Sequence, residues 1–326
     1  MVNHTPTLRT IQTRYVMFFT NKALMVILIA ALALIVLCLL FIVIFAIGLA
    51  RMVAYPHIIS IPDEIKYEKD KGMWKDFDKL SKEEFKIASY DGYELNAIYI
   101  PAEEKSDKYV IISHGYSGCR LGSVKYLHLF RRLGFNAVMY DDRGHGDNAK
   151  TYCTMGFRES RDLISVIDYV YGKFGKDILL GLHGESMGSG LTNTALKYSP
   201  KVRFIVSDCG YADLPELLKY LVSHNLHLPG FLEKAAGIAS KLIYKYNFKE
   251  VKPIEQIKNN EIPICFFHGE DDDFIPCEHA KKMYEANKGY KELYIVPGAG
   301  HAMCVITDEE AYYSNVKGFL SRIGVI

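Results

Sequence analysis

One uncharged apolar stretch restricts the fold of this chain more than any other part of its sequence. From Ala23 to Ala50 there is no Asp, Glu, Lys or Arg, and Leu, Ile, Val, Ala and Phe dominate. As a helix the stretch would be roughly 40 Å long at about 1.5 Å per residue, enough to cross a bilayer with some tilt. The sequence therefore predicts a transmembrane anchor over residues 23–50, preceded by a short tail over residues 1–22, with the lipid bilayer as a partner.

Two alternatives to an uncleaved anchor exist for the same stretch. A cleaved signal peptide is one, because Gly48-Leu49-Ala50 resembles a small-residue cleavage site. However, secretory apolar cores run about 7 to 15 residues, and this stretch is far longer. A buried helix of a soluble protein is the other alternative. The length of the stretch favours the anchor.

The charges on either side of the stretch predict its orientation. Arg9, Arg14 and Lys22 precede it, whereas only Arg51 follows at a similar distance. By the positive-inside rule, the N-terminus stays in the cytoplasm and the large domain is extracytoplasmic. The lysines from Lys66 onward oppose this orientation, but they lie just beyond the distance over which the rule is usually counted.

The remaining composition excludes some classes of partner. The net charge is +1 over 326 residues, so no broad basic field indicates a nucleic-acid partner. Six cysteines lie outside the apolar stretch and could pair in an oxidising compartment, yet a chain of this length does not need disulfides, and buried free thiols are expected. None shows the close Cys/His spacing of a zinc site, so we predict no metal and no cofactor.

After a juxtamembrane segment over residues 51–83, short apolar strands alternate with amphipathic helices up to the last residue. This alternation predicts an α/β fold over residues 84–326, with a mostly parallel sheet of about eight strands covered by helices on both faces. A hairpin around Asp91-Gly92 opens the sheet. We expect the juxtamembrane segment to lie along the surface of this domain, without chemistry of its own. The predicted strands are Phe85–Ser89, Leu95–Ile100, Tyr109–Ser113, Asn136–Tyr140, Ile178–Leu182, Phe204–Ser207, Ile264–Phe267 and Leu293–Val296.

The segment Gly184-Glu185-Ser186-Met187-Gly188 matches the pattern G-x-S-x-G. The pattern alone is weak evidence, but here it directly follows a predicted strand and precedes a predicted helix that ends at Ser199-Pro200. A strand–turn–helix context is the one in which a nucleophile elbow exposes its serine above a sheet. Ser186 is therefore the candidate nucleophile, and it needs a histidine base oriented by a carboxylate.

Two later loops offer those partners. Asp271, Asp272 and Asp273 follow the predicted strand that ends at Phe267, and each is a candidate acid. The next strand is followed by a glycine-rich loop that ends in His301. The chain order Ser, Asp, His is the one found in sheets of this kind.

From about Glu84 onward the chain resembles the α/β-hydrolase family, especially bacterial serine esterases and the catalytic domains of prolyl-oligopeptidase-like peptidases. In that family the acid loop commonly reads H-G-x-x-D-x-x-V-P, which selects Asp272, and a Gly-His loop carries the base, here His301. The resemblance therefore implies a triad of Ser186, Asp272 and His301. The positions that match the acid loop are His268, Gly269, Asp272 and Pro276, with Ile275 in place of Val.

The resemblance also implies the surroundings of the triad. The backbone N–H groups of Tyr116 and Met187 would form the oxyanion hole. His145 lies in a turn, Asp141 to Gly146, where it is expected to brace loops rather than act as a second base or a metal ligand. The family carries its lids at the position of residues 211–260, whose two apolar helical stripes therefore favour a small helical cap over two ordinary surface helices.

The predicted activity is hydrolysis of a carboxylic ester through an acyl-enzyme on Ser186, with a small-molecule acyl ester as substrate. A peptidase or amidase that uses the same triad is the enzymatic alternative. A noncatalytic, membrane-anchored binding module is the alternative from another class, and the complete Ser/Asp/His set argues against it.

Overall fold

The computed structural model describes residues 8–326, and its first element is a very long helix. Helix α1 runs over Leu8–Ala54, and its Thr20–Ala54 part is long and apolar enough to cross a membrane. The expected N-terminal tail is helical over residues 8–22, and residues 1–7 lie outside the described part of the chain. The helix ends shortly before Pro56, whose ring disfavours helical backbone in the residue that precedes it.

The segment that follows α1 is packed into the domain. Helix α2 (Ile61–Asp70) is capped at its start by the hydroxyl of Ser60. Trp74 and Phe77 come next, with ring centroids 4.7 Å apart, and both are buried in the core. The expectation that residues 51–83 lie only along the surface is therefore wrong, because their large apolar side chains fill the core beside the sheet.

Within the described residues, eight strands form one mixed sheet with the spatial order β1-β2-β4-β3-β5-β6-β7-β8. The first two strands form an antiparallel hairpin, β2 pairs antiparallel with β4, and all other neighbours are parallel. This arrangement confirms the predicted fold class. The strands are β1 (Glu83–Ala88), β2 (Glu94–Ile100), β3 (Lys108–Ser113), β4 (Asn136–Tyr140), β5 (Leu179–Glu185), β6 (Phe204–Asp208), β7 (Ile264–Gly269) and β8 (Lys291–Val296).

Helices cover both faces of the sheet. Strand β3 shows how: Ile111 packs into the core on one face, whereas Val110 and Ile112 pack into the core on the other, because successive side chains of a strand point in opposite directions. Helices α4 to α9 contribute to the first face, and α2, α3, α10 and α11 to the second. The helices after β3 are α3 (Val124–Arg132), α4 (Glu159–Phe174), α5 (Met187–Ala195), α6 (Leu214–His224), α7 (Leu232–Tyr244), α8 (Pro253–Ile257), α9 (Glu278–Ala286), α10 (Cys304–Thr307) and α11 (Glu309–Arg322).

The two helical stripes of residues 211–260 form helices α6 and α7. The N-cap of helix α6 is Asp213, whose carboxylate accepts the N–H of Glu216, as the spacing of these two residues in the sequence predicts. Helix α7 lies along α1, and at its end the ring of Tyr244 is 6.0 Å from that of Tyr55.

The start of the last helix departs from what its sequence predicts. Thr307 and Glu310 are three residues apart, a spacing that predicts a capping box, but α11 begins at Glu309 and its N-cap is Asp308. The Asp308 carboxylate accepts the N–H of Ala311 at 2.9 Å. Threonine and aspartate both suit this position, and here the neighbouring helix α10 includes Thr307 as its last residue.

Candidate active site

Ser186 lies in a sharp turn between β5 and α5. Its φ is 55°, a conformation that a residue with a side chain adopts rarely and that often marks a functional site. The flanking glycines let the backbone close this turn. A Cβ on Gly184 would lie 2.3 Å from the carbonyl oxygen of Gly188, and a Cβ on Gly188 would lie 2.2 Å from that of Ser113. The close approach expected at this elbow is therefore present.

The structure brings Ser186, His301 and Asp272 into one chain of hydrogen bonds. Ser186 Oγ is 2.9 Å from His301 Nε2, and His301 Nδ1 is 2.8 Å from Asp272 Oδ2. An ionised carboxylate can only accept a hydrogen bond, so Nδ1 carries the proton and Nε2 is free to accept the proton of Ser186. The arrangement can generate a serine alkoxide as nucleophile.

The loop after β7 holds Asp272 in the ionised form. Its Oδ1 accepts the N–H groups of Phe274 at 3.0 Å and Ile275 at 2.8 Å, and His268 Nε2 lies 3.2 Å from its Oδ2. Burial by itself would raise the pKa of Asp272, but the hydrogen bonds from His268 and His301 hold that pKa well below its usual value. The neighbouring Asp271 and Asp273 are exposed.

The turn after β3 is adjacent to the nucleophile. A Cβ on Gly115 would lie 3.5 Å from the Cβ of Ser186. His114 fixes this turn, since its Nδ1 donates to the Gly115 carbonyl at 2.7 Å and its Nε2 accepts the Asp142 N–H at 2.9 Å. Burial lowers the pKa of His114 to about 4, so its ring is neutral at pH 7.

The two predicted oxyanion donors lie on this turn and at the start of α5. Met187 is the first residue of α5, where an N–H group has no acceptor within the helix. Within the described part of the chain, the Tyr116 N–H has no acceptor either. Both residues adjoin Ser186, and their N–H groups are available to a ligand.

The other candidate residues of this region serve the packing of loops. The guanidinium of Arg143 bonds to Asp91 at 3.0 Å and 2.9 Å and to Asp162 at 2.9 Å and 2.6 Å. His145 donates from Nδ1 to the Arg143 carbonyl, and burial lowers its pKa to about 4. His183 is buried against Tyr312. The expected bracing role of this turn is confirmed.

An apolar cavity of about 270 Å³ lies on one side of Ser186. Its walls include three residues from the last turns of α1, which the sequence did not indicate as part of any site. Helix α6 supplies another wall. In the second apolar stripe of residues 211–260, which forms the α7 region, Phe231, Ile238 and Leu242 are exposed. The apolar residues from these helices that line the cavity are Leu49, Met52, Val53, Leu217, Leu218, Leu221 and Val222.

A second cavity, of about 380 Å³, lies on another side of Ser186, and charged side chains are among the residues that line it. Helix α2 contributes Glu64 and Tyr67 to it, facing Lys125 and Glu185. Lys125 Nζ is 2.6 Å from Glu185 Oε2. Burial raises the pKa of Glu64 to about 7, and that of the neighbouring Glu68 to about 8, although Lys125 opposes both shifts. Sequence reasoning missed this cavity entirely.

The fold and the serine elbow define an α/β-hydrolase of the serine hydrolase class. A sequence profile described as the prolyl oligopeptidase family matches residues 123–323, and the chain belongs to this family. It is 35% identical over 269 residues to the uncharacterized protein YqkD of Bacillus subtilis, covering 80% of this chain and 87% of that protein.

Two further comparisons describe relatives with named activities. The lysophosphatidylserine lipase ABHD12 of Macaca fascicularis is 25% identical over 202 residues, which cover 57% of this chain and 47% of the lipase. The structure of the Pyrococcus furiosus esterase Pf2001 superposes with a TM-score of 0.64 at 22% identity, over 83% of this chain and 97% of the esterase. At that identity the superposition shows a shared fold.

Proposed function

We propose that this protein is a membrane-anchored carboxylic ester hydrolase that acts through an acyl-enzyme on Ser186. The observation that carries the proposal is the hydrogen-bonded series Ser186–His301–Asp272 at a strained elbow, with an apolar cavity beside the serine. Such a cavity suits the acyl part of an ester. The names of the related lipase and of the esterase that shares the fold support an ester as substrate.

The reaction would proceed in two halves. Ser186 Oγ attacks the carbonyl carbon while its proton moves to His301 Nε2, and the N–H groups of Tyr116 and Met187 stabilise the oxyanion. The tetrahedral intermediate collapses, the C–O bond to the alcohol breaks, and the alcohol takes the proton from His301. Water then attacks the acyl-enzyme with His301 as base, which releases the carboxylic acid and restores Ser186.

Peptide or amide hydrolysis is the second candidate, because the family takes its name from a peptidase and the same residues would serve. The apolar cavity favours the ester, since no charged side chain that could bind a peptide terminus is among its lining residues. The anchor is part of the proposal: we propose that the uncharged stretch of residues 23–50 holds the chain in a bilayer, with its last residues packed against the domain, and that the domain lies outside the cytoplasm.

The test uses the full chain in detergent micelles. A fluorophosphonate probe should label the parent protein and leave Ser186→Ala unlabelled. A panel of p-nitrophenyl esters and aminoacyl anilides then separates the two activities, and we expect turnover of the esters. Labelling with turnover of anilides alone would establish the peptidase, and an unlabelled parent protein would indicate a noncatalytic binding module.

A further inference from the structure

The C-terminal end of α1 is built into the candidate active site. Leu49, Met52 and Val53 line the apolar cavity together with Ser186. Hydrogen bonds hold this end in place: the Ala54 carbonyl accepts the N–H of Cys153 at 2.8 Å. The helix that is long enough to span a bilayer is therefore also a wall of the cavity, which places the cavity close to the membrane surface.

The length of α1 outside the domain locates that surface. Along α1, side chains become buried against the domain from about Ile42 onward, whereas those from Leu24 to Leu40 are exposed. The stretch from Ala23 to Phe41 would rise about 28 Å as a helix, close to the roughly 30 Å of a bilayer's hydrocarbon core. The boundary of that core thus falls near Phe41.

Helix α7 begins at the level of this boundary. Phe231 shares a surface pocket with Leu37 and Phe41 of α1, and its side chain is 57% exposed. From there α7 runs along α1 and away from this boundary, until Tyr244 lies beside Tyr55. The start of α7 is therefore the part of that helix that meets the bilayer.

The rim of the apolar cavity lies close in sequence to the start of α7. Leu226 lines the cavity and is 46% exposed, and it lies three residues before Pro229, which lines the same surface pocket as Leu37 and Phe41 of α1. The cavity volume of about 270 Å³ is below the range of about 300–1,000 Å³ usual for drug-sized ligands. The cavity therefore suits a single acyl chain that enters from the lipid side.

We infer that the start of α7 meets the bilayer beside α1, and that the substrate is a membrane-resident, single-chain acyl ester whose chain passes from the bilayer into a cavity walled by the anchor itself. This inference rests on the proposed ester hydrolase activity. The second cavity, with Glu64, Lys125 and Glu185 among its lining residues, would receive the leaving group. The acyl chain and the polar leaving group would thus lie in separate cavities, with the ester carbonyl at Ser186.

Fluorescence quenching tests the contact between the start of α7 and lipid, and this measurement does not depend on enzymatic activity. The full chain carrying Phe231→Trp is reconstituted in phosphatidylcholine vesicles with one fifth phosphatidylglycerol, with and without bromine on the acyl chains. Trp74 is buried in the domain core and serves as the background in the parent protein. We expect at least a twofold quenching of the added fluorescence by brominated lipid. Fluorescence that brominated lipid does not quench would overturn the membrane contact of α7.

Substrate access is tested in the same vesicles. Phe231→Asp should lower hydrolysis of a long-chain monoacylglycerol at least fivefold while leaving p-nitrophenyl acetate hydrolysis at the parent rate. The matched control is Tyr198→Asp, an exposed aromatic residue on the short 3₁₀ helix that follows α5, which should change neither rate. Equal long-chain rates in parent and Phe231→Asp would overturn entry from the bilayer.

A separate substitution tests the role of α1 as a wall of the apolar cavity. Met52→Trp should lower the ratio of octanoyl to acetyl ester kcat/KM at least tenfold, because the larger side chain fills the acyl cavity. An unchanged ratio of octanoyl to acetyl kcat/KM would contradict the role of α1 as a wall of the acyl cavity. Failure of the proposed function is distinguishable, since it would appear as a parent protein that hydrolyses neither ester while the fluorescence test still reports on α7.

Discussion

The hydroxyl of Tyr116 donates a hydrogen bond to the backbone carbonyl of Met52 at a distance of 2.5 Å, and the carbonyl of Val53 lies 3.2 Å from the same hydroxyl. These carbonyls belong to the last turn of α1, where no helical N–H group remains to satisfy them. The Tyr116 backbone is a proposed oxyanion donor. One side chain therefore joins the end of the long apolar helix to the loop beside Ser186.

Replacing Tyr116 with phenylalanine tests this connection. We expect Tyr116→Phe to cost about 1 kcal/mol of stability, as for one lost hydrogen bond, and to lower kcat for p-nitrophenyl acetate about three- to tenfold because the oxyanion loop loses its support. The readouts are thermal unfolding in detergent and steady-state kinetics of the full chain.

Tyr171→Phe is the matched control for that experiment. Tyr171 also donates to a backbone carbonyl, that of Lys201 at 2.8 Å, but it lies on α4 outside both cavities. We expect a similar small loss of stability with an unchanged kcat. Equal kcat values in the two variants would show that the Tyr116 hydroxyl has only a structural role.

The acid of the proposed triad is tested by Asp272→Asn. An asparagine would no longer hold His301 with its proton on Nδ1, so we expect kcat to fall by about 10⁴ with little change in KM. Asp271→Asn is the control, because this carboxylate is exposed beside the buried one, and its kcat should match the parent. A parent-like Asp272→Asn together with an inactive Asp271→Asn would assign the acid of the triad to Asp271 instead.

A buried carboxylate makes stability depend on pH. Burial raises the pKa of Glu68 from 4.5 to about 8, so the folded protein retains a proton that the unfolded chain has already lost. This group therefore favours folding fully below about pH 4.5, and that contribution is lost as pH rises from about 4.5 to about 8. At about 1.4 kcal/mol per pKa unit, the loss is at most about 5 kcal/mol.

Glu68→Gln should remove this dependence. We expect the variant to have a higher Tm than the parent at pH 8.5 and the same Tm at pH 4.5, measured by thermal unfolding of the full chain in detergent. Glu104→Gln is the control, because this carboxylate is exposed on the loop before β3. Parallel Tm curves for parent and Glu68→Gln across the whole range would contradict the pKa assigned to Glu68.

The sheet and the candidate triad were predictable because their signals are local. The predicted strand Ile264–Phe267 and the observed β7 differ only at the C-terminal end. Ser186, Asp272 and His301 each lie in a short motif at the end of a strand, and the parallel sheet brings such ends to one edge. The hydrogen bonds among them follow from that placement.

The cavity walls from α1 were not predictable for a physical reason. Leu49 is buried against the domain and Ile44 is 70% exposed, yet both are large aliphatic residues in one uncharged stretch. Lipid tails and a protein core favour the same side chains, so hydropathy does not distinguish the face of α1 that contacts the domain. The buried Glu64 and Glu68 are likewise indistinguishable in sequence from solvated carboxylates of an ordinary amphipathic helix.

The orientation of the anchor is the last prediction, and it depends on charges outside the folded domain. Arg9, Arg14 and Lys22 precede the span, and Arg51 alone follows it closely. A reporter enzyme that is active only outside the cytoplasm, fused after Ile326 and expressed in bacteria, should therefore be active. Replacing the three N-terminal basic residues with glutamine should lower that activity by weakening the charge difference across the span.

Protease accessibility is an independent test of the orientation of the anchor. Protease added to intact spheroplasts should digest the domain or at least the exposed residues between α1 and β1. Removal of the three N-terminal basic residues should increase the protected fraction, because the charge bias that retains the N-terminus in the cytoplasm would be lost. Full protection of the parent until the membrane is lysed, with an inactive fused reporter, would reverse the orientation and place the acyl cavity against the cytoplasmic leaflet instead.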